Sequence, residues 1–417
     1  MPPRTPASPP SVLLETDGDG LIVRLPDPPA AGREIAFYLL RDGERVATRW
    51  YAGDPVARFA GPLPRGRYEA QAFVRGGAHG GVERLRSAAL THPLTVAPPG
   101  VSLADAPPVV LHIGLPKTGT TYLQRTFHRA LAGLPDAPLE YPEAGFYNHQ
   151  VALYEPLGAH LPWKPRAGAP ALWDGLSRRL ATPGTRRLLL SAEALAGLDP
   201  AGIAIFRALL GGRPVERIVI TTRALAKLLP SHWQQNMKQG GRGTLEAYAD
   251  RILGAIAAGR SPAQMFCVAQ TVRLWRAEFP QAPVAVLVMD GGQEQNLLAF
   301  ADLCGLGAAH DAALLRSVPT ASEQNLSFSV DECRQLIEIN EAIARGQLDV
   351  AARKQAIDGF FQAREGAGDY RKPELDAARA QAAQAVDRES RAALAALPGC
   401  QWLHGRDGRQ PAGGASS

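Results

Sequence analysis

One stretch of this chain carries the residue types that grip a phosphate: Val109-Val110-Leu111-His112-Ile113-Gly114-Leu115-Pro116-Lys117-Thr118-Gly119-Thr120-Thr121-Tyr122-Leu123-Gln124. An apolar run reaches Gly114, and a turn holds Pro116, Lys117, Thr118 and Gly119. Leu123, Phe127 and Leu131 then repeat at helical spacing. Successive backbone N–H groups in such a strand-to-helix turn point into one hollow. The helix start adds unpaired N–H groups and roughly half a positive charge. Lys117 brings a full charge, and Thr120 and Thr121 bring hydroxyl donors, so the segment predicts an anion pocket built for phosphate. It is not a Walker A loop, which places Lys after the second Gly. Here Lys117 precedes Gly119, and Thr120 stands in the Walker lysine's place.

Pro116-Lys117-Thr118-Gly119-Thr120-Thr121 resembles the 5′-phosphosulfate-binding loop of the sulfotransferase family, in particular the bacterial carbohydrate-type enzymes. Members of that family move a sulfuryl group from 3′-phosphoadenosine 5′-phosphosulfate (PAPS) to an alcohol or amine, leaving adenosine 3′,5′-bisphosphate (PAP). The resemblance implies that Lys117 and the loop amides hold the 5′-phosphate and that Lys117 stabilises charge on the bridging oxygen as sulfate leaves. A second match follows. Ile218-Val219-Ile220-Thr221-Thr222-Arg223 is an apolar strand ending in Arg, and Ser231 comes eight residues later. This is similar to the family's 3′-phosphate motif, in which a guanidinium fork and a hydroxyl grip a terminal phosphate. The segments 275–279, 284–289, 296–305 and Asn325-Leu326-Ser327 keep the family's order, so the resemblance covers residues 109 to about 345. The chain departs from the family in lacking an Arg-Lys-Gly loop near its C-terminus. The 3′-phosphate contact made there is either replaced, by Arg353 or Lys354, or absent.

Sulfuryl transfer to a hydroxyl requires a base beside the acceptor and positive charge beside the leaving phosphate. The strand Arg187-Leu188-Leu189-Leu190-Ser191-Ala192-Glu193 ends in a carboxylate at a sheet edge where ligands of parallel sheets bind, and Glu193 is assigned as general base. His112, two residues before Gly114, is the alternative; an in-strand histidine is more often a core group. His128 reads as a helix-surface or packing residue, His232 as a lining of the acceptor cleft, and Gln234, Gln235 and Asn236 as ligands of sugar hydroxyls.

The elements that must position these residues fall into two rhythms. Residues 12–96 read as short strands at 21–25, 34–41, 44–51, 57–60 and 68–75, with Asp42-Gly43 as a hairpin turn and Tyr68, Ala70, Ala72 and Val74 facing inward. They predict a small all-β sandwich of immunoglobulin or fibronectin type over residues 1–100. A Pro-rich linker at 97–108 follows. Beyond it, apolar strands at 109–114, 188–191, 218–221 and 284–289 alternate with helices at 203–210, 225–237 and 297–304. Further helices are expected at 332–344 and 373–396. The fold class is therefore α/β, a P-loop-like parallel sheet flanked by helices over 105–405, with a disordered tail at 406–417.

Composition excludes several classes. The 417 residues carry a net charge of +5, hydrophobic residues make 46% and charged residues 20%, a globular balance. Charges are interspersed, so no nucleic-acid partner is expected. No apolar run is long enough to span a bilayer, and the Pro-rich N-terminus has no signal-peptide core, which together with reduced cysteines predicts a cytoplasmic protein. The four cysteines form no C-x-x-C pair and the nine histidines no H-E-x-x-H, so no metal is expected. The acceptor expected is a carbohydrate or polysaccharide hydroxyl, with association with polysaccharide-building enzymes. Other readings stay open on the residues: a P-loop nucleotide kinase, a non-catalytic glycan-binding or assembly protein with a relic nucleotide pocket, and a sulfotransferase for a small metabolite or lipid.

Overall fold

The structure, a computed structural model, describes residues 12–407 apart from 18–19, 27–31, 62, 64–65, 77–80, 93–101, 159, 162–168, 260–262, 321–326 and 363–370. Residues 97–101 of the expected linker, Asn325 and Leu326 of the late motif, and the tail from 408 onward lie outside the described residues.

Among the described residues, eight N-terminal strands build two antiparallel sheets. β1 (Leu13–Asp17), β2 (Gly20–Arg24) and β5 (Val56–Phe59) form one. The other runs β4 (Glu44–Ala52), β3 (Glu34–Arg41), β6 (Gly66–Arg75), β7 (Val82–Arg86), with β8 (Leu90–His92) also on β6. The β3–β4 hairpin closes through Asp42 at φ 54° and Gly43 at φ 90°, the two positive values its turn demands. On β6 the inward set Tyr68, Ala70, Ala72 and Val74 is buried. Together with Val12, Leu21, Val23, Phe37, Leu39 and Phe59 it forms one apolar layer.

The rest of the chain is organised by a six-stranded parallel sheet. Its strands are β9 (Val109–His112), β10 (Leu139–Glu140), β11 (Arg187–Ser191), β12 (Val215–Thr222), β13 (Val284–Val288) and β14 (Cys400–His404), ordered β10-β11-β9-β12-β13-β14. All neighbouring pairs are parallel. The period-two alternation assigns its two faces. Val109, Leu111, Leu188, Leu190, Ile218, Ile220, Val284 and Val286 share one core with Phe206 and Trp275. Val110, Leu189, Val219, Ala285 and Leu287 share the other with Leu123, Phe127, Phe300 and Leu314. β9, β11, β12 and β13 are buried on both faces, which is why each reads as a continuous apolar run.

Among the described residues, twelve helices flank the sheet or extend from it: α1 (Thr120–Ala132), α2 (Gln150–Leu157), α3 (Ala169–Ala181), α4 (Pro200–Leu209), α5 (Leu225–Lys238), α6 (Leu245–Ala257), α7 (Val268–Glu278), α8 (Gln293–Leu303), α9 (Asp311–Arg316), α10 (Val330–Ala344), α11 (Val350–Gln362) and α12 (Ala377–Ala395). Local chemistry sets several starts. Asp199 caps α4 ahead of Pro200, and Ser329 with Glu332 forms a reciprocal capping box on α10. The expected tail is corrected in part: Gly405–Asp407 form a 3-10 turn packed against α8. Among the described residues no helix is long and apolar enough to cross a membrane.

Sheet order fixes where a ligand would sit. After β9 the chain builds β10 and β11 on one side, then crosses to place β12 on the other. The C-terminal ends of β11, β9 and β12 therefore diverge around a crevice, the position at which open α/β sheets bind ligands.

Candidate active site

The Gly114–Gly119 loop leaves β9 at this crevice. Ile113 and Leu115 still donate to Val219 and Thr221 of β12, at 3.0 and 2.8 Å, so the strand path continues past the end of regular pairing. The chain then turns through Pro116 and enters α1 from Gly119. Lys117 has φ 68° and Gly119 φ 92°. For lysine the left-handed region is costly, about 1–3 kcal/mol, and is held only where its surroundings over-determine it. Among the described residues, the backbone N–H groups of Lys117, Thr118, Gly119, Thr120 and Thr121 donate to no protein acceptor. Five donors gathered at a helix N-terminus form an anion cradle.

Beneath the cradle runs a buried polar seam. His112 Nδ1 lies 2.7 Å from Ser191 Oγ on β11, and its Nε2 lies 3.1 Å from Thr221 Oγ1 on β12. Thr221 Oγ1 in turn lies 3.0 Å from Thr118 Oγ1, and Thr118 donates to the Leu115 carbonyl at 2.7 Å. Three strand ends and the loop are thereby stitched together. Burial drives the His112 pKa down to about 3, so the ring is neutral. With both nitrogens engaged and no exposed surface, His112 supports the loop and does not face a substrate. Gly114 is required by the same seam. A Cβ there would stand 2.1 Å from Thr221 Oγ1 and 2.7 Å from His112 Nε2.

Glu193 opens the 3-10 turn after β11 and approaches the cradle from the other side. Gln124 Nε2 donates to its carboxylate at 3.3 Å, Thr120 faces the same group, and Lys117 is its charge partner. Burial raises the Glu193 pKa above the usual carboxylate range, against the opposing pull of Thr120, Gln124 and Lys117. Burial also lowers the Lys117 pKa, and Glu193 resists that fall. His232 on α5 completes the group. Its Nδ1 lies 2.6 Å from Tyr248 Oη, and burial with the nearby Lys117 and Arg251 charges lowers its pKa to about 4. A carboxylate with a raised pKa and a neutral imidazole thus both lie within electrostatic reach of Lys117, an arrangement suited to moving a proton beside an anion.

Arg223, at the tip of β12, opens onto a second hollow. A cavity of ≈ 510 Å³ lies over the ends of β12, β13 and β14 and against α12. Arg223, Lys227, Arg388 and Arg391 line it, as do Trp402 and Met289. Among the described residues none of these four cations has a carboxylate within salt-bridge reach. Desolvation lowers the Arg223 pKa, the mark of a half-buried charge with no partner. Of the two acids in the wall, Asp290 accepts from His404 at 2.7 Å, and Asp387 accepts from the Leu225 N–H at the start of α5, at 2.9 Å. The methyl end of Met289 lies 3.7 Å from the Cβ position of Gly119, so the cavity and the loop share a wall.

No protein-family model matches the chain, and no curated protein matches it in sequence. Among solved structures, a sulfotransferase from Alicyclobacillus acidocaldarius aligns with 60% of this chain and 96% of its own length, at 16% identity and a TM-score of 0.32. A β-glucuronidase from Ruminococcus gnavus aligns with 67% of this chain and 52% of its own, at 12% identity and a TM-score of 0.20. Scores at this level carry no argument, and the residues themselves bear the functional reading.

Several sequence expectations are relocated. Ser231 is half-buried in α5 and is not part of the Arg223 cavity wall. Gln234 does not face a ligand: its Oε1 accepts the Phe328 N–H at 2.9 Å and ties α5 to the segment before α10. Asn236 packs its amide against Gly241. Arg353 donates to Asn340 and approaches Gly240, past the far end of α5 from Arg223, so it does not replace the missing basic loop. His128 pairs with Glu143 at the surface. Sequence reasoning missed Arg388, Arg391 and Gln124. Gln124 was within reach, four residues after Thr120 on the same helical face, whereas the two arginines lie more than 160 residues beyond Arg223 and nothing local marks them.

Proposed function

We propose that this chain is a sulfotransferase that uses PAPS as donor and a hydroxyl, of a carbohydrate, as acceptor. The observation that carries the reading is the loop itself: a strained Lys117 that pairs electrostatically with the enclosed Glu193 carboxylate, and five amides with no acceptor among the described residues. The cradle amides and Lys117 fit the donor's 5′-phosphate, and the Arg223 cavity beside it fits the 3′-phosphate. Arg388 and Arg391 of α12 stand there in place of an Arg-Lys-Gly loop.

The donor supplies a sulfuryl group already joined to a good leaving phosphate. The chain's residues do the rest. Glu193 takes the proton of the acceptor hydroxyl as its oxygen bonds to sulfur. Lys117 and the amides hold the negative charge that forms on the 5′-phosphate oxygen when its bond to sulfur breaks. The raised Glu193 pKa brings its basicity nearer the working pH. Cationic side chains and amides supply the charge stabilisation at both ends of the nucleotide.

Calorimetry with PAP, set against ATP with Mg²⁺, tests the reading. The expected result is PAP binding that weakens at least about tenfold in Lys117→Ala, the loss of one charge-assisted contact. PAP affinity undetectable at millimolar ligand, or ATP preferred when Mg²⁺ is added, would overturn it.

A further inference from the structure

The outer face of the β4-β3-β6-β7 sheet has no part in the chemistry above, and its side chains are unusual. The inner face holds the apolar layer already described. On the outer face, neighbouring strands place aromatic rings in a row. Trp50 of β4 meets Tyr38 of β3 edge-on, with centroids 6.3 Å apart and planes at 87°. Tyr38 meets Phe73 of β6 at 4.6 Å and 50°. Trp50 keeps 69% of its surface exposed. Burying an aromatic side chain stabilises by about 1.5–3 kcal/mol, and this fold leaves most of that unused at Trp50.

Arginines flank the row. The Arg45 guanidinium lies 4.7 Å from the Tyr38 ring centroid, and that of Arg84 lies 5.6 Å from the Phe73 centroid. Arg84 Nη2 also donates to Gln71 Oε1 at 2.7 Å, which fixes the fork in place. Both arginines are exposed. Each ring therefore orders a cation whose remaining donors face outward.

We infer that this face binds an anionic polysaccharide, with Trp50 stacking on a sugar ring and Arg45 and Arg84 pairing with its carboxylate or sulfate groups. The inference rests on the carbohydrate-acceptor reading and extends it to a second site on the same chain. The face of a pyranose is apolar and matches an exposed indole, while a planar guanidinium matches carboxylate and sulfate oxygens. A single-stranded nucleic acid would need a run of ring faces for successive bases and a basic groove along its backbone. Here the rings stand at 87° and 50° to one another and one ring dominates the exposure. The β module is joined to the rest of the chain through β8, which packs on α2, and through Arg67, which pairs with Glu155 at 3.9 Å. A polymer held on this face is thus tethered to the chain that would modify it.

Affinity electrophoresis of the full chain through gels containing polygalacturonate, dextran sulfate or neutral dextran tests this, with a single-stranded oligonucleotide as a further arm. Polygalacturonate and dextran sulfate separate carboxylate from sulfate recognition. The expected result is retardation by at least one anionic polymer and none by neutral dextran. Trp50→Ala, which removes no charge, should weaken that binding about tenfold, and Trp50→Phe should recover part of it. Arg45→Gln with Arg84→Gln should weaken it further and flatten its salt dependence. PAP calorimetry on the same preparations reports folding and the first site independently. Unchanged retardation in Trp50→Ala would overturn the inference, because the binding would then be charge alone. So would stronger, Trp50-dependent retardation by the oligonucleotide. Intact PAP binding without polymer retardation defeats this inference and leaves the sulfotransferase reading standing; the converse pattern defeats the sulfotransferase reading.

Discussion

In the loop after β9 the scaffold side chains are hydrogen-bonded to one another, and five backbone amides have no acceptor among the described residues. In the Arg223 cavity the reverse holds: among the described residues its four cations have no carboxylate partner, and few hydrogen bonds fix them. An anion in the loop would be held by shape, from a backbone fixed by Gly114, His112, Thr118 and Thr221. An anion in the cavity would be held by charge, from long side chains on separate elements. Shape is set by short contacts and responds abruptly to added atoms, whereas charge responds gradually to each lost cation and to salt.

The largest effect expected from this contrast is Gly114→Ala. Its methyl would collide with Thr221 Oγ1 at 2.1 Å, so the seam must open. We expect a loss of about 2–4 kcal/mol in stability and PAP binding too weak to measure, checked by thermal denaturation and calorimetry. Glu193→Gln comes next. It preserves size and the Gln124 contact, so PAP affinity should hold while the transfer rate falls by about 10²–10⁴. In the wild type the raised Glu193 pKa should move the acid limb of the pH–rate profile above the normal carboxylate range, since the base must be ionised to act. A limb unmoved in Glu193→Gln would shift the role to His232.

Arg388→Ala and Arg391→Ala should each weaken PAP about three- to tenfold, by a margin that shrinks as salt rises. A loss that does not depend on salt would contradict a charge-built cavity. The smallest effect is Asp387→Asn. Burial raises the Asp387 pKa to about 6, with the Leu225 N–H opposing. The folded state therefore holds the proton more tightly than the unfolded chain. The stability linked to this group is complete below the unfolded value near 4 and is lost as pH rises through about 6. Asparagine keeps an oxygen for Leu225 and removes the anion. PAP affinity should rise about twofold to threefold at pH 7 and not change at pH 5.

The same contrast explains what the sequence disclosed. The loop is local: strand, Gly114, Lys117 and the helix start lie within a dozen residues, so their types and spacing reveal it. Asp42-Gly43 revealed its hairpin in the same way, and so did the apolar runs of β9, β11, β12 and β13, because burial on both faces leaves a continuous signature. β14 was illegible. As an edge strand it alternates partly buried and exposed residues and keeps Gln401 and His404. β10, with two residues, offers no periodicity at all. The cavity was illegible because its wall is assembled from β12, β13, β14 and α12, and only folding brings Arg388 and Arg391 to Arg223. His112 could be read either way until its two hydroxyl partners were placed.

In the proposed reading, loop and cavity hold the two ends of one nucleotide. It is tested most directly by comparing adenosine 3′,5′-bisphosphate with adenosine 5′-monophosphate in calorimetry on the wild type, Lys117→Ala and Arg223→Ala. Lys117→Ala should weaken both ligands, while Arg223→Ala should weaken the bisphosphate about tenfold or more and leave the monophosphate unchanged. Equal losses for both ligands in Arg223→Ala, or none for either, would contradict it.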